Sequence, residues 1–420
     1  TEEPGCVSTA FQDQPHHAAS FDGLILTSAF QPIFSIAHRR PVGYEGLLRA
    51  YDVEGRQLMP GEIFQRPTHS QQELELDRIC RKLHTENFAA QDDNGSWLFL
   101  NLNSQCLVTE RPEAGFMRQL IARTGIPARR IVIEILESEI DDRTYLRGLI
   151  EHFRGLGCLI AIDDFGAGHS NFDRIWELKP DIVKIDRNLV KQASESLKVE
   201  RILTGIVSLI HETGSLVVVE GVETEREALV AISSNADMVQ GFYFGKPASQ
   251  ITDYQFGSKM EALLSQKNSA SCQYSRRMQQ QFQLLRQRYQ QEVDSFRQSQ
   301  RLELCGQALF EDDRVVRCFL LDQQGHQIGR SLYSPKFTTR LDIRFSPLLA
   351  GENANWSHRH YHHRALQHPN TIQISRPYLS VAGSHMCVTV SQAIEVDNKI
   401  LVFCADLDWN DEDLAAIDLP

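Results

Sequence analysis

The stretch AIDDFGAGHSNF, residues 161–172, closes a short apolar run with two adjacent aspartates, and Phe, Gly, Ala, Gly and a polar segment follow. The run that leads into it, Leu159 to Ile162, has the length and composition of a strand buried on both faces. Two carboxylates at the end of such a strand need a reason, because a buried charge is costly unless it is paired or liganded. The same pattern recurs on either side. AFQPIFSI (29–36), VGYEGLLRA (42–50), SWLFLNLN (96–103), RIVIEILE (130–137), DIVKID (181–186), SLVVVEGV (215–222) and DMVQGFYF (237–244) are all strand-like. Patterns of helical period lie between them, such as 142–157 and 199–214, each ending at a glycine as helices often do. Strand–helix alternation over roughly 240 residues predicts an α/β fold, a (β/α)8 TIM-like barrel. AHRRP (37–41) is too short to hold a crossover helix, so the first two strands are predicted to be antiparallel.

In such a barrel, functional side chains sit at the C-terminal ends of strands. Here those positions hold Glu45 and Arg49, Asn101, Glu134 and Glu137, Asp163 and Asp164, Lys184 and Asp186, Glu220 and Glu223, and Gln240. Any one buried acid reads most simply as a satisfied structural residue. The set does not, because five or more acids on one rim repel unless cations sit among them. Oxygen ligands without His or Cys select hard cations such as Mg²⁺ or Mn²⁺, and two neighbouring ions would make a phosphoester site. Asp163 is expected to bridge two ions and Asp164 to serve the second, with a turn at Phe165-Gly166 re-aiming one of them.

The chain has 420 residues, enough for two or three domains, with 42% hydrophobic and 23% charged residues. A net charge of −12 makes it a poor partner for polynucleotides or anionic membranes. Nine cysteines without a CxxC pair argue against a disulfide framework or zinc knuckle and fit a reducing compartment. No apolar stretch approaches the ~20 residues of a membrane span, and the N-terminus does not read as a secretory signal; a cytoplasmic protein is expected. Residues 1–20 read as a polar tail, 21–265 as the barrel, 266–303 as a linker and amphipathic helix, and 304–420 as a further domain. The helix is predicted from about 276 to 300 by the stripe Met278, Phe282, Leu285, Tyr289, Val293 and Phe296. That stripe suits packing on its own domain, or a helix that joins two domains and pairs with its twin in a homodimer.

Residues 22–260 resemble the EAL family of cyclic di-GMP phosphodiesterases. The signature stands here as Glu45-Gly46-Leu47, followed in the family's order by NLN, EILE, DDFGAGHSN, VKID, VEGVE and QGFYFGKP, with FQPI ahead of it. The resemblance implies two Mg²⁺ or Mn²⁺ ions and hydrolysis of cyclic di-GMP to linear 5'-pGpG. It implies that Glu45, Asn101, Glu134 and Asp163 hold the first ion, and Asp163, Asp164 and Glu220 the second. Lys184 would contact the attacking water, with Glu220 as a base. Gln31, Leu48, Arg49, Asp186, Gln240 and Pro247 would meet the dinucleotide, and Glu137 and Glu223 would anchor the loop after Asp164. Gly46 in place of the signature's Ala reads as a minor change, whereas Leu136, Ala167 and His169 depart from the family in and beside that loop. The alternative reading is a catalytically silent cyclic di-GMP receptor that signals through its C-terminal domain.

From residue 305 the runs 315–331, 377–394 and 399–409 read as strands. This region resembles an α+β PAS/Cache-like sensor domain, in which Trp356, Arg359 and Tyr361 would meet an unknown small ligand. The histidine-rich run 354–370 reads as a polar strand or helix face and not as a metal site.

Overall fold

The computed structural model describes residues 17–91, 95–102, 115–136, 143–167, 172–251, 257–336, 351, 354–380 and 386–409; within its helices, the side chains of residues 143, 172, 174, 257 and 268–282 fall outside the description. The chain forms two compact units, 1–267 and 268–420.

The first unit contains β1 (Ala19–Phe21), β2 (Leu24–Ser35), β3 (Arg40–Tyr51), β4 (Gln57–Leu58), β5 (Trp97–Leu102), β6 (Ile131–Leu136), β7 (Leu159–Phe165), β8 (Ile182–Ile185), β9 (Leu216–Val219) and β10 (Met238–Val239). Sheet order runs β2-β10-β9-β8-β7-β6-β5-β3, and pairing of β2 with β3 closes the ring at eight strands. β2 and β3 are antiparallel, and the pairs from β3 through β5 to β10 are parallel. β10 is only two residues long, shorter than its sequence run, because Gln240 and the glycine after it leave the ladder to form a turn.

Period 2 decides what fills the barrel. One interior layer is Ile33, Phe99, Val132, Ala161, Ile182, Val218 and Met238. Gly43 gives it room: a Cβ there would lie 2.6 Å from the Phe99 ring. Two residues further along the parallel strands come Glu45, Asn101, Glu134, Asp163, Lys184, Glu220 and Gln240; antiparallel β2 brings Gln31 to the same level two residues before Ile33. The strand spacing therefore stacks a polar layer on the apolar one.

Among the described residues the second unit forms an antiparallel sheet, built from β11 (Val315–Asp322), β12 (Gln327–Tyr333), β13 (Gln373–Ile374), β14 (Tyr378–Leu379), β15 (Met386–Val396) and β16 (Lys399–Asp408). Its order is β12-β11-β16-β15-β13, with β14 also on β15. The histidine-rich run supplies the helix His360–Gln367, whose Tyr361 and Ala365 pack on the sheet beside Phe319 and Val402.

A long helix spans Gly257–Ser299, starting well before residue 276. The polar run 266–277 carries no Gly or Pro to stop it. Met260 and Leu263 belong to the barrel unit's core, whereas Leu285, Tyr289, Val293 and Phe296 belong to the second unit's core. The side chains of Met278 and Phe282 of the expected stripe lie outside the description. Tyr289 donates its hydroxyl to the Phe403 carbonyl at 2.6 Å, so that half of the helix packs on its own sheet.

Candidate active site

At the C-terminal rim of the barrel the Lys184 ammonium, fully buried, faces four carboxylates. It lies 2.6 Å from Glu220, 3.3 Å from Asp163 and 3.6 Å from Glu45, and it pairs closely with Glu134. Burial alone would drive Lys184 toward its neutral form. Asp163, Glu134, Glu220 and Glu45 outweigh it and raise the lysine well above its usual value. Burial also raises Glu134 and Glu220 well above the ordinary carboxylate range, with Lys184 opposing. Glu45 ends below its usual value. Burial pushes it up, but Lys184 and hydrogen bonds from Gln240 (2.7 Å) and Asn101 (2.8 Å) pull it down further.

One ammonium cannot satisfy this many oxygens. Glu134 Oε2 is buried with no partner among the described residues, and Glu134 Oε1, Asp163 Oδ1 and Glu220 Oε1, also buried, share the single Lys184 ammonium and have no other donor there. Ligand oxygens of Asp163, Asp164 and Glu220 lie within 4.8 Å of one another. Asn101 spends its amide N–H on Glu45, which leaves its carbonyl oxygen for a cation. The donor set is all oxygen and carries excess negative charge, so the residues fit hard divalent cations.

The two adjacent aspartates separate at Asp164 itself. Its φ is +56°, and the β7–β8 register breaks between Ile162 and Phe165. The expected turn at Phe165-Gly166 is thus corrected: the re-aiming begins one residue earlier, and Gly166 (φ +100°) continues it. Aspartate is among the few residues that tolerate this left-handed backbone. Burial, with Asp163 and Asp186 nearby, raises Asp164 above its ordinary value.

Gln31, Glu45, Asp164, Asp186, Glu220 and Gln240 line one cavity of about 210 Å³ at this rim. Gln240 donates to Gln31 at 3.3 Å, and Gln31 donates to the Gly245 carbonyl at 3.2 Å. Asp186 also caps the helix Arg187–Glu195 by accepting from the Asn188 N–H at 3.0 Å. Glu223 lies on the same cavity and stands 3.9 Å from Arg187. Leu48, Arg49 and Asn101 line a second cavity of about 380 Å³, where an Arg49 N–H donates to the Leu48 carbonyl at 2.8 Å. Pro247 is half-buried, and Ala248 after it bonds to the backbone of Phe30, next to Gln31. Glu137 and His169 lie outside the described residues.

Two features escaped the sequence reading. Asp77, Arg81 and His84 are buried polar residues on the helix Ser70–Ala89, and Asp77 and His84 face the second cavity. Their spacing of four and three on an otherwise apolar face was the available signal. The second is Gly46, which is no neutral change. A Cβ there would lie 2.9 Å from both Cβ and Cγ of His84, so the glycine is the complement of that histidine.

In the second unit Arg359 and Tyr361 line a cavity of about 430 Å³. Trp356 is engaged elsewhere: its indole N–H donates to Gln327 at 3.3 Å, and its ring lies 5.9 Å from the Arg317 guanidinium. No helix among the described residues is long and apolar enough to cross a membrane.

Comparison with known proteins places the rim in a family. YkuI of Bacillus subtilis, an EAL-domain containing protein, is 24% identical over 79% of this chain and 82% of its own length. Its crystal structure, a complex with substrate c-di-GMP and calcium, superposes with a TM-score of 0.75 at 23% identity, over 92% of this chain and 96% of that one. BlrP1 of Klebsiella pneumoniae, in a manganese/cy-diGMP complex, has a TM-score of 0.51 at 26% identity, over 57% of this chain and 61% of that one. PdeB of Escherichia coli, a probable cyclic di-GMP phosphodiesterase, is 27% identical over 55% of this chain, which spans 45% of PdeB. The EAL domain model matches residues 22–247, more than half of the chain and all of the rim just described, so this protein belongs to the EAL-domain family.

Proposed function

We propose that the chain hydrolyses one phosphodiester bond of cyclic di-GMP to give linear 5'-pGpG, using two Mg²⁺ or Mn²⁺ ions. The observation that carries this reading is the excess of carboxylates over ammonium in one buried layer, where Glu134, Asp163 and Glu220 share one lysine and Glu134 Oε2 has no partner among the described residues. Glu45, Asn101, Glu134 and Asp163 would hold one ion, and Asp163, Asp164 and Glu220 the other. Bound there, the ions supply an acidified water and charge for the attacking and leaving oxygens. Lys184 orients the attacking water through its ammonium, and Glu220 accepts the proton. Gln31 and Gln240, already bonded to each other, hold one side of the dinucleotide, and Arg49 offers a planar donor fork to its phosphate. Likeness to PdeB and to the manganese-bound BlrP1 supports the substrate and the metal class. A silent receptor would need the grip but not this concentration of acid.

We extend the proposal to a homodimer in which the second unit tunes turnover. The test is to incubate the full chain with cyclic di-GMP and Mn²⁺ or Mg²⁺ and to follow linear pGpG, with Glu45→Ala and excess EDTA as controls. Product in neither metal, or product undiminished by EDTA, overturns the enzymatic reading. Light scattering of the same samples tests the dimer, which a monomer at working concentration excludes.

A further inference from the structure

We infer that the cavity in the second unit is a binding site for a small organic anion with a flat apolar body. It has about 430 Å³, within the range of small-molecule sites, and Arg359, Arg364, Arg376, Tyr361, Pro377 and Tyr378 form much of its lining. Three arginines line it from two separate segments, the turn and helix around 359–364 and the strand-flanking residue 376. Among the described residues no acidic residue lines it. Among the described residues none of the three guanidiniums has a carboxylate partner, and Arg359 Nε is buried with no acceptor. Three cationic residues on one cavity wall, with no carboxylate partner among the described residues, form a lining that an anion would stabilise. The planar donor fork of arginine selects carboxylate or phosphate oxygens.

The apolar wall is equally built. The Tyr361 and Tyr378 rings stack at 6.3 Å and 23°, and the Arg359 guanidinium lies 4.9 Å from the Tyr378 ring centre. Tyr378 is held from behind: its hydroxyl bonds Thr389 at 2.6 Å, Thr389 donates to Asp406 at 2.7 Å, and Asp406 accepts from Arg317 at 2.7 Å. With its hydroxyl occupied, Tyr378 is fixed in the cavity wall beside Tyr361 and Pro377, and this aromatic, apolar side suits a flat ligand body. A ligand there would press on a buried ion pair within the sheet.

This inference stands apart from the phosphodiesterase reading, and its test uses no turnover. The full chain in EDTA is titrated calorimetrically with benzoate, phenyl phosphate, acetate, inorganic phosphate and benzyl alcohol. Benzoate or phenyl phosphate should saturate one site, at least tenfold more tightly than acetate or inorganic phosphate, and benzyl alcohol should not bind. Whichever of the first two binds more tightly identifies a carboxylate or a phosphate ligand. Arg359→Ala should weaken binding at least tenfold, and Arg359→Lys should fail to restore it, because an ammonium has no fork. Arg376→Ala, at an exposed position that leaves the fold intact, should also weaken it. No saturable binding of either aromatic anion, equal binding of benzyl alcohol, or unchanged affinity in Arg376→Ala with a folded Arg359→Ala overturns the proposal.

Discussion

Restoring the family's alanine in the signature should damage this protein. In Gly46→Ala the new Cβ would sit 2.9 Å from Cβ and Cγ of His84 and 3.2 Å from its Cδ2. Those atoms lie at the root of a side chain on a packed helix, so the clash cannot be relieved by swinging a flexible end. Over-packing of this kind costs about 1–3 kcal/mol. Loss of glycine freedom in the unfolded chain returns about 0.4–1 kcal/mol. The net expectation is a loss of roughly 1–2 kcal/mol, concentrated in β3, where Glu45 is the adjacent residue. The histidine ring is the cause, so His84→Ala should relieve it. The double variant should be at least ~1 kcal/mol more stable than the sum of the single effects. Urea unfolding followed by hydrogen-exchange mass spectrometry reads the barrel peptides separately from those of the second unit, which avoids assuming a single transition. Additive effects in this cycle, or a Gly46→Ala barrel as stable as the parent, would refute the complementarity of residues 46 and 84.

Removing the central cation should be worse. Lys184→Met leaves four carboxylates facing one another, and breaking a buried pair costs about 3–5 kcal/mol; thermal unfolding in EDTA should show that loss, and Mn²⁺ should restore most of it. Its turnover should fall at least ~100-fold with KM within a few-fold of the parent, and the opposite split would reassign Lys184 to substrate grip. Calcium should support substrate binding but little turnover, since it accepts longer and looser oxygen geometry than Mg²⁺; calorimetry beside product analysis checks this, and full activity in Ca²⁺ contradicts it. Burial, with Glu45 opposing and Arg49 assisting, pushes His84 down to about 4. The unfolded chain therefore binds the extra proton between pH 6.5 and 4, and stability should fall as pH drops through that window, by about 3 kcal/mol at its lower end. His84→Gln should lose that component of the barrel's pH dependence; an unchanged slope would show that His84 does not carry it.

The barrel and its polar layer were readable from sequence because both obey short-range rules. A strand buried on both faces appears as a continuous apolar run, so one polar residue inside it, Glu134 in IVIEIL or Lys184 in IVKI, stands out. Alternation then places it one step beyond a core side chain on every strand, and the short 37–41 turn dictates the antiparallel pair. Helix boundaries were less readable. The polar run 266–277 looks like a linker by composition, yet helix propagates through any segment free of Gly and Pro once its ends are packed. The remaining features depend on closeness that the chain order conceals. Ring closure brings Glu45 and Glu220, 175 positions apart by their numbers, against the same ammonium, and only then does Lys184 become the centre of four acids. The left-handed backbone at Asp164 follows from the break in β7–β8 pairing, which no local pattern announces. The size of residue 46 is decided by a histidine on another element, and Arg376 meets Arg359 only after the sheet has formed. Sequence therefore determined which residues face inward, since that needs only periodicity, and tertiary structure decided which of them meet, since that needs the geometry of closure.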